Sequence, residues 1–456
     1  MKVAFIGGGS LRLLPLLRGV FDEVPQMFNN GELRFIDLKQ ERSEAVAAMI
    51  GACPEFQKIK NCKLSCPNNL DDGLKDIDVL YLTMAARTEP TETMAAMLAE
   101  EHGFYSSDQL SINGGFLTMR LGKTILNIAK KMEKLCPKAL MLIFPNPVAV
   151  YSGMVNNYTK IRALGICGGF SNHRWDLTRV FFGKNECRKD WDVVAAGVNH
   201  CSFILRGSIN GEDLYSSLCP RVLTDDWKPL PGLELPGNFI YNMYKRYGTI
   251  IFSTETDGMY YIFPDSSLDY LRKVIASRQP FDPEKIRKEY PVAEAEKFQK
   301  FIDNAKHPEN MDWSHSWPAD IFYGKDSTDI SIPIFKALGG YGKMRIMASA
   351  PNRGAVRGYA DEMPLEYTMD IDGDTITPVE DQYVPAPFTG MIGALSYYQY
   401  MLGKAVAEDD PRIFAQALDA HPTQQFTERK RQFLRKMFAL YTNIDPHMSE
   451  AVKYFN

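Results

Sequence analysis

No stretch of the chain is apolar for long enough to cross a membrane. The opening Met1-Lys2-Val3-Ala4-Phe5-Ile6 breaks at three glycines, too short and too glycine-rich for a signal peptide or anchor, so a cytoplasmic protein is expected. Neither sign of charge dominates. Against 52 Lys and Arg stand 56 Asp and Glu, and a net charge of -4 argues against a polyanion-binding surface and against nucleic acid as a partner. Cysteine is sparse: eight residues in 456, unevenly spaced, read as reduced thiols rather than a disulfide framework. Repeats, low-complexity tracts and detachable linkers are also missing. What remains is a globular composition, 45% hydrophobic and 24% charged, at a length that suggests two interlocked domains when domains run about 100–200 residues.

The N-terminal half carries the most regular pattern. Residues 2–6 form an apolar run that stops at Gly7-Gly8-Gly9-Ser10 and passes into a helical stretch from Leu11 to Phe21. Strand, glycine turn and helix bring backbone amides and a helix N-terminus to a pyrophosphate, the dinucleotide-binding arrangement. Gly7 and Gly9 fit the first two glycines of that fingerprint, while Arg12 stands where the third would be. The next strand ends in Asp37, placed to bind a ribose diol, although it lies farther from the turn than the usual ~20 residues. Further strand signals at 78–83 and 139–144, with a helix opening at Gly114-Gly115-Phe116, predict a doubly wound parallel sheet whose ligands gather at its C-terminal edge. Arg120 on that helix and Asn146, bracketed by Pro145 and Pro147, are candidates to meet a ligand there.

Two later strand ends carry metal-type ligands. Cys167, in Gly165-Ile166-Cys167-Gly168-Gly169, and His200, in Gly197-Val198-Asn199-His200, offer a thiolate and an imidazole that suit a first-row divalent ion and leave room for substrate oxygens. Beyond residue 200 the pattern loosens. The segment 253–261 offers Glu255, Asp257, Tyr260 and Tyr261 as acid or base groups. A strand is expected over 344–348, a turn at Asn352-Arg353-Gly354 and a mainly helical tail from Pro387 to Phe438.

Taken in order, the glycine turn, Gly114-Gly115-Phe116, Asn146-Pro147, Gly165-Ile166-Cys167, Gly197-Val198-Asn199-His200, Asn352-Arg353-Gly354 and Ala420-His421-Pro422 resemble glycoside hydrolase family 4 over nearly the whole chain. The resemblance implies an α/β fold, a Rossmann-type doubly wound parallel sheet (1–195) followed by an interlocked α+β domain for substrate, metal and oligomerisation (196–456), in the manner of lactate and malate dehydrogenases. It implies bound NAD and Mn²⁺ or another divalent ion. The chemistry is that of a glycosidase working by transient oxidation at sugar C3, removal of the C2 proton, a metal-stabilised enediolate, loss of the aglycone, addition of water and return of the hydride. Such enzymes depart from paired-carboxylate glycoside hydrolysis. Cys167 and His200 would hold the metal; Gly7, Gly9, Ser10 and Asp37 the dinucleotide; Asn146, Asn199 and Arg120 the substrate. A homodimer or homotetramer is expected.

This chain departs from the family in two places. Many members carry Asp, Asn or His after the metal-binding Cys, in some of them the leaving-group acid, where this chain has Gly168 and Gly169; Asn172 and His173 are the nearest substitutes. The base is a Tyr in some branches and an Asp in others, which leaves Glu255 favoured, with Tyr260, Tyr261 and Asp257 as rivals. Arg87-Thr88-Glu89 lacks the Arg-Val-Gly-Gly run of the phospho-sugar branches, which favours a non-phosphorylated or differently charged glycoside. The alternatives are an NAD-dependent 2-hydroxy-acid dehydrogenase and a non-catalytic dinucleotide sensor.

Overall fold

The computed structural model describes all residues except 85–90, 184–190, 253–255, 264–268, 270–282, 317–322, 423–426, 443–444 and 456. Six strands, β1 (Lys2–Ile6), β2 (Glu32–Ile36), β3 (Lys63–Ser65), β4 (Val79–Leu82), β5 (Leu140–Ile143) and β6 (Arg162–Gly165), pair in parallel in the order 3-2-1-4-5-6. Apart from β3 they are almost wholly buried, because helices cover both faces and every alternate side chain needs an apolar neighbour. Thus Phe5 points into one core with Leu17, Phe21 and Phe35, while its neighbour Ala4 joins Leu80, Ile125 and Met141 on the other face. The strand order reverses between β1 and β4, and the crevice beyond their C-terminal ends is the natural binding place.

The second half continues the same sheet in antiparallel fashion. It contains β7 (Trp191–Val198), β8 (Cys201–Ile209), β9 (Glu212–Asp213), β10 (Ile250–Ile251), β11 (Met344–Pro351), β12 (Pro364–Asp372) and β13 (Thr375–Pro378). β11 meets β6 at Ser349 opposite Gly165, and β12, β7, β8 and β10 follow outward, with β9 and β13 on the flanks. The division expected at residue 195 falls inside β7, whose whole length pairs with β8. The two halves meet where parallel pairing gives way to antiparallel pairing.

The helical tail supplies the interlock. Helices Thr389–Glu408, Pro411–Ala420 and Glu428–Tyr441 return to the first half, where Phe116 of helix Ile112–Leu135 packs against Phe414, Phe438 and Tyr441. Arg18 adds a buried tie. It pairs with Glu55 at 2.8 Å and donates to the carbonyls of Trp313 and Tyr323, joining the first helix to a segment about three hundred residues later. Among the described residues no helix is long and apolar enough to cross a membrane, and the seven described cysteines are free.

Candidate active site

The glycine turn is held by the ends of its neighbouring strands. Gly7 and Gly8 donate their amides to the Ile36 carbonyl at 3.0 and 2.8 Å, Ser10 donates to Gly7 at 2.9 Å, and Gly9 donates to the Asp37 carboxylate at 3.0 Å. Gly7 has φ +84°, and a Cβ there would lie 2.7 Å from the Met84 amide, so only glycine fits. Helix Leu13–Glu23 follows with no side-chain cap and no acid in its first turn, which leaves its positive end to an anion. Asp37 is half-buried at the end of β2, beside fully exposed Leu38. Gly7, Gly9, Ser10 and Asp37 are therefore together, and the cradle fits a dinucleotide.

Arg12, in place of the third glycine, turns its guanidinium away from the turn. It lies 4.1 Å from the Phe144 ring centroid and pairs with buried Asp329 at 2.5 Å; burial works against its charge, and the Asp329 carboxylate with Tyr81 and Asp326 outweighs that and raises its pKa further. A Cβ on Gly168 would approach Arg12 and Phe144 no closer than 3.7 Å. Gly168 is thus not imposed by crowding.

Cys167 and His200 meet directly. Cys167 lies two residues beyond β6, just before helix Gly169–Phe182, whose Gly169 amide donates to its sulfur at 3.3 Å. His200 is the second residue of the two-residue turn between β7 and β8, with φ +68°, a left-handed conformation uncommon for a residue with a side chain. Its Nε2 lies 3.4 Å from Cys167 Sγ, and its Nδ1 lies 2.8 Å from Asp257 Oδ2. With bonds of roughly 2.0 Å to imidazole and 2.3 Å to thiolate, two adjacent ligands on one ion stand about 3–3.5 Å apart, so the pair fits a divalent ion. Among the described residues no group of three or more His, Cys, Asp or Glu converges as a ligand set. The remaining coordination would fall to substrate and water.

The other candidates divide. His173 is brought in: buried on helix Gly169–Phe182, its ring stands perpendicular to that of His200 with centroids 6.3 Å apart. Tyr260 lies on helix Thr256–Ile262, three residues after Asp257 and on the same helix face, stacked on Tyr105 at 4.8 Å. Asn146 sits beyond β5, next to β6, its amide donating to Asp108 at 2.8 Å and its oxygen accepting from Gln109. Arg120 is half-buried on helix Ile112–Leu135. Asn199, expected as a substrate contact, is buried, and its amide donates to Glu366 at 2.8 Å while Ser202 donates to the other oxygen of that carboxylate. It braces the hairpin because the turn aims it back at β12. Glu255 and Arg87-Thr88-Glu89 lie outside the described residues.

The sequence reading missed Asp108, Gln109 and Glu366, which hold the candidate amides. A polar pair just before the Ser111 N-cap of helix Ile112–Leu135 was the available sign of the first two. Tyr261 and His421 also proved to share one partner, the Leu110 carbonyl, at 2.9 Å each, with 3.3 Å between Tyr261 Oη and His421 Nε2. Burial lowers the His421 imidazole to about 4 despite that bond and pushes the Tyr261 phenol well above its ordinary value.

Residues 2–180 match the model of the family 4 glycosyl hydrolases, and residues 195–424 match that of their C-terminal domain. The chain is 30% identical over 226 residues to an alpha-galactosidase of Bacillus subtilis (strain 168), a match spanning 48% of this chain and 50% of that enzyme. It is 21% identical over 436 residues to an alpha-galacturonidase of Thermoanaerobacter italicus, spanning 91% of this chain and 90% of that one. It shares its fold, at a TM-score of 0.75 and 16% identity over 98% of this chain and 99% of the other, with a 6-phospho-alpha-glucosidase from gut microorganisms crystallised with NAD and Mn²⁺.

Proposed function

From the glycosyl hydrolase family 4, to which this chain belongs, we propose that it is an NAD- and divalent-metal-dependent glycosidase acting by oxidation, elimination, addition and reduction. The observation that carries the reading is the Cys167–His200 pair, 3.4 Å apart at the end of β6, the parallel strand on which the antiparallel half joins the sheet that presents the glycine cradle. When bound, NAD supplies a hydride acceptor and the ion supplies Lewis acidity. Gly7, Gly9, Ser10 and Asp37 hold and orient the dinucleotide, and Cys167 with His200 holds the ion.

Asn146 is locked between Asp108 and Gln109, so its position is fixed before substrate arrives, which favours orientation of sugar hydroxyls. Arg120 is assigned to the same substrate surface. Tyr260 and Glu255 are the proton-acceptor candidates, with Tyr260 supported by the helix face it shares with Asp257. His173, beside His200, is the proton carrier for the departing aglycone, since Gly168 has no side chain to serve. A substrate that is unphosphorylated, neutral or carboxylate-bearing is supported by the relatives named for galactosides and galacturonides, and by the absence of the Arg-Val-Gly-Gly run. The enzyme would act as a cytoplasmic homodimer or homotetramer.

The test is a panel of α- and β-glycosides, phosphorylated and not, incubated with the reduced protein in the presence and absence of NAD⁺ and Mn²⁺. Hydrolysis is expected only when both are present. Net NADH formation from a 2-hydroxy acid would support the dehydrogenase reading, and NAD⁺ binding without any turnover would support the sensor.

A further inference from the structure

We infer that Asp257 is a positioning residue for the Cys167–His200 pair and not a proton acceptor: its carboxylate decides which nitrogen of His200 is left for a divalent ion. The inference rests on the metal reading above. A neutral imidazole has one donor nitrogen and one acceptor nitrogen, and whichever hydrogen bond one of them makes fixes the role of the other. Asp257 Oδ2 lies 2.8 Å from Nδ1, with the two side chains 4% and 10% exposed. A carboxylate accepts, so Nδ1 carries the hydrogen and Nε2 keeps its lone pair facing Cys167 Sγ. Asp257 is on the far side of the ring and cannot share the ion. This is the arrangement in which a carboxylate behind a histidine orients a metal ligand and raises its basicity.

Two further features agree with this contact. A Cβ on Gly258 would lie 2.8 Å from Ile251 Cδ1 and 2.9 Å from the His200 carbonyl, so the helix carrying Asp257 rests directly on the hairpin corner and only glycine permits that approach. His200 also holds φ +68°, a left-handed conformation that persists only where its surroundings over-determine it. The bond to Asp257 is one such restraint. As a proton acceptor, by contrast, Asp257 would need to reach a sugar carbon, and it is buried with one oxygen already committed to His200.

The experiment uses the full-length protein stripped of metal and titrated with Mn²⁺ by calorimetry, with Co²⁺ substitution to follow the thiolate-to-metal absorption band. Asp257→Ala is expected to bind Mn²⁺ roughly 10–100-fold more weakly. Asp257→Asn, which can still accept the same hydrogen bond, should lose less, and Gly258→Val should weaken binding with the carboxylate still present. NAD⁺ affinity should stay unchanged in all three. At saturating Mn²⁺ the glycosidase activity of Asp257→Ala should largely return. Unchanged Mn²⁺ affinity in Asp257→Ala, or activity that excess Mn²⁺ cannot restore, overturns the inference alone. Failure of the unsubstituted protein to bind Mn²⁺ overturns the metal reading and this inference with it.

Discussion

At the proposed dinucleotide end of the crevice the groups that shape the site are mainly backbone, Gly7, Gly8 and Gly9 being held against the end of β2, with Asp37 only 28 residues from Gly9. At the metal end they are side chains from three distant segments, with Cys167 and His200 separated by 33 residues and His200 and Asp257 by 57. The first end is robust to the identity of most side chains but intolerant of any Cβ at the turn. The second depends on individual functional groups, and each of those depends on a neighbour that holds it. Losing one end should therefore leave binding at the other intact, although catalysis needs both.

The largest expected effect breaks the metal end. Cys167→Ala or His200→Ala should lower kcat/KM by about a thousandfold or more, since charge stabilisation at the reacting oxygens is lost, while NAD⁺ binding persists. Steady-state kinetics beside NAD⁺ titration checks the separation. The mirror experiment is Gly7→Val, which forces a branched side chain into φ +84° and against the Met84 amide. NAD⁺ affinity should fall about a hundredfold, ~2.7 kcal/mol, with Mn²⁺ affinity retained. If the two losses always travel together, the ends are not independent.

An effect of similar size, on stability rather than on binding, probes the clamp joining the helical tail to the segment before the Ser111 N-cap. Because the folded His421 imidazole titrates near 4, below its ordinary 6.5, its contribution to stability is full above pH 6.5 and is lost as pH falls through about 4. The complete loss amounts to roughly 3 kcal/mol. His421→Gln should flatten that part of the pH profile in urea unfolding measured from pH 7 down to pH 4. The smallest effect is Gly168→Ala. The added methyl would meet only ordinary contacts with Phe144 and Arg12, so activity and Mn²⁺ affinity should change by less than about threefold. A larger loss would mean that bare backbone at position 168 is used by the reaction.

The same contrast explains what could be read from the sequence. The parallel half was legible because strand, glycine turn and helix are local patterns, and β1, β2, β4 and β5 lie where apolar runs end in Gly, Pro or polar residues. Cys167 and His200 could be paired as thiolate and imidazole at two strand ends, and the resemblance strengthened that pairing, but no local rule brings a βα turn and a hairpin turn to 3.4 Å of each other. The partner of the Asn199 amide was not legible, because a polar residue at a strand end carries no sign of a buried Glu366 from a strand more than 160 residues later. The joining of the halves at Ser349 and Gly165, and the return of the tail onto Phe116, are long-range packing decisions with no short signature.

On the proposed mechanism the two ends act on one sugar by removal of its C2 proton. Hydrolysis of a competent glycoside in D₂O, with NAD⁺ and Mn²⁺ present, tests it most directly through the isotope content of the released sugar. Deuterium at C2 is the predicted result. Turnover that leaves C2 fully protonated, on a substrate whose abstracted proton is shown to exchange with solvent, would contradict it.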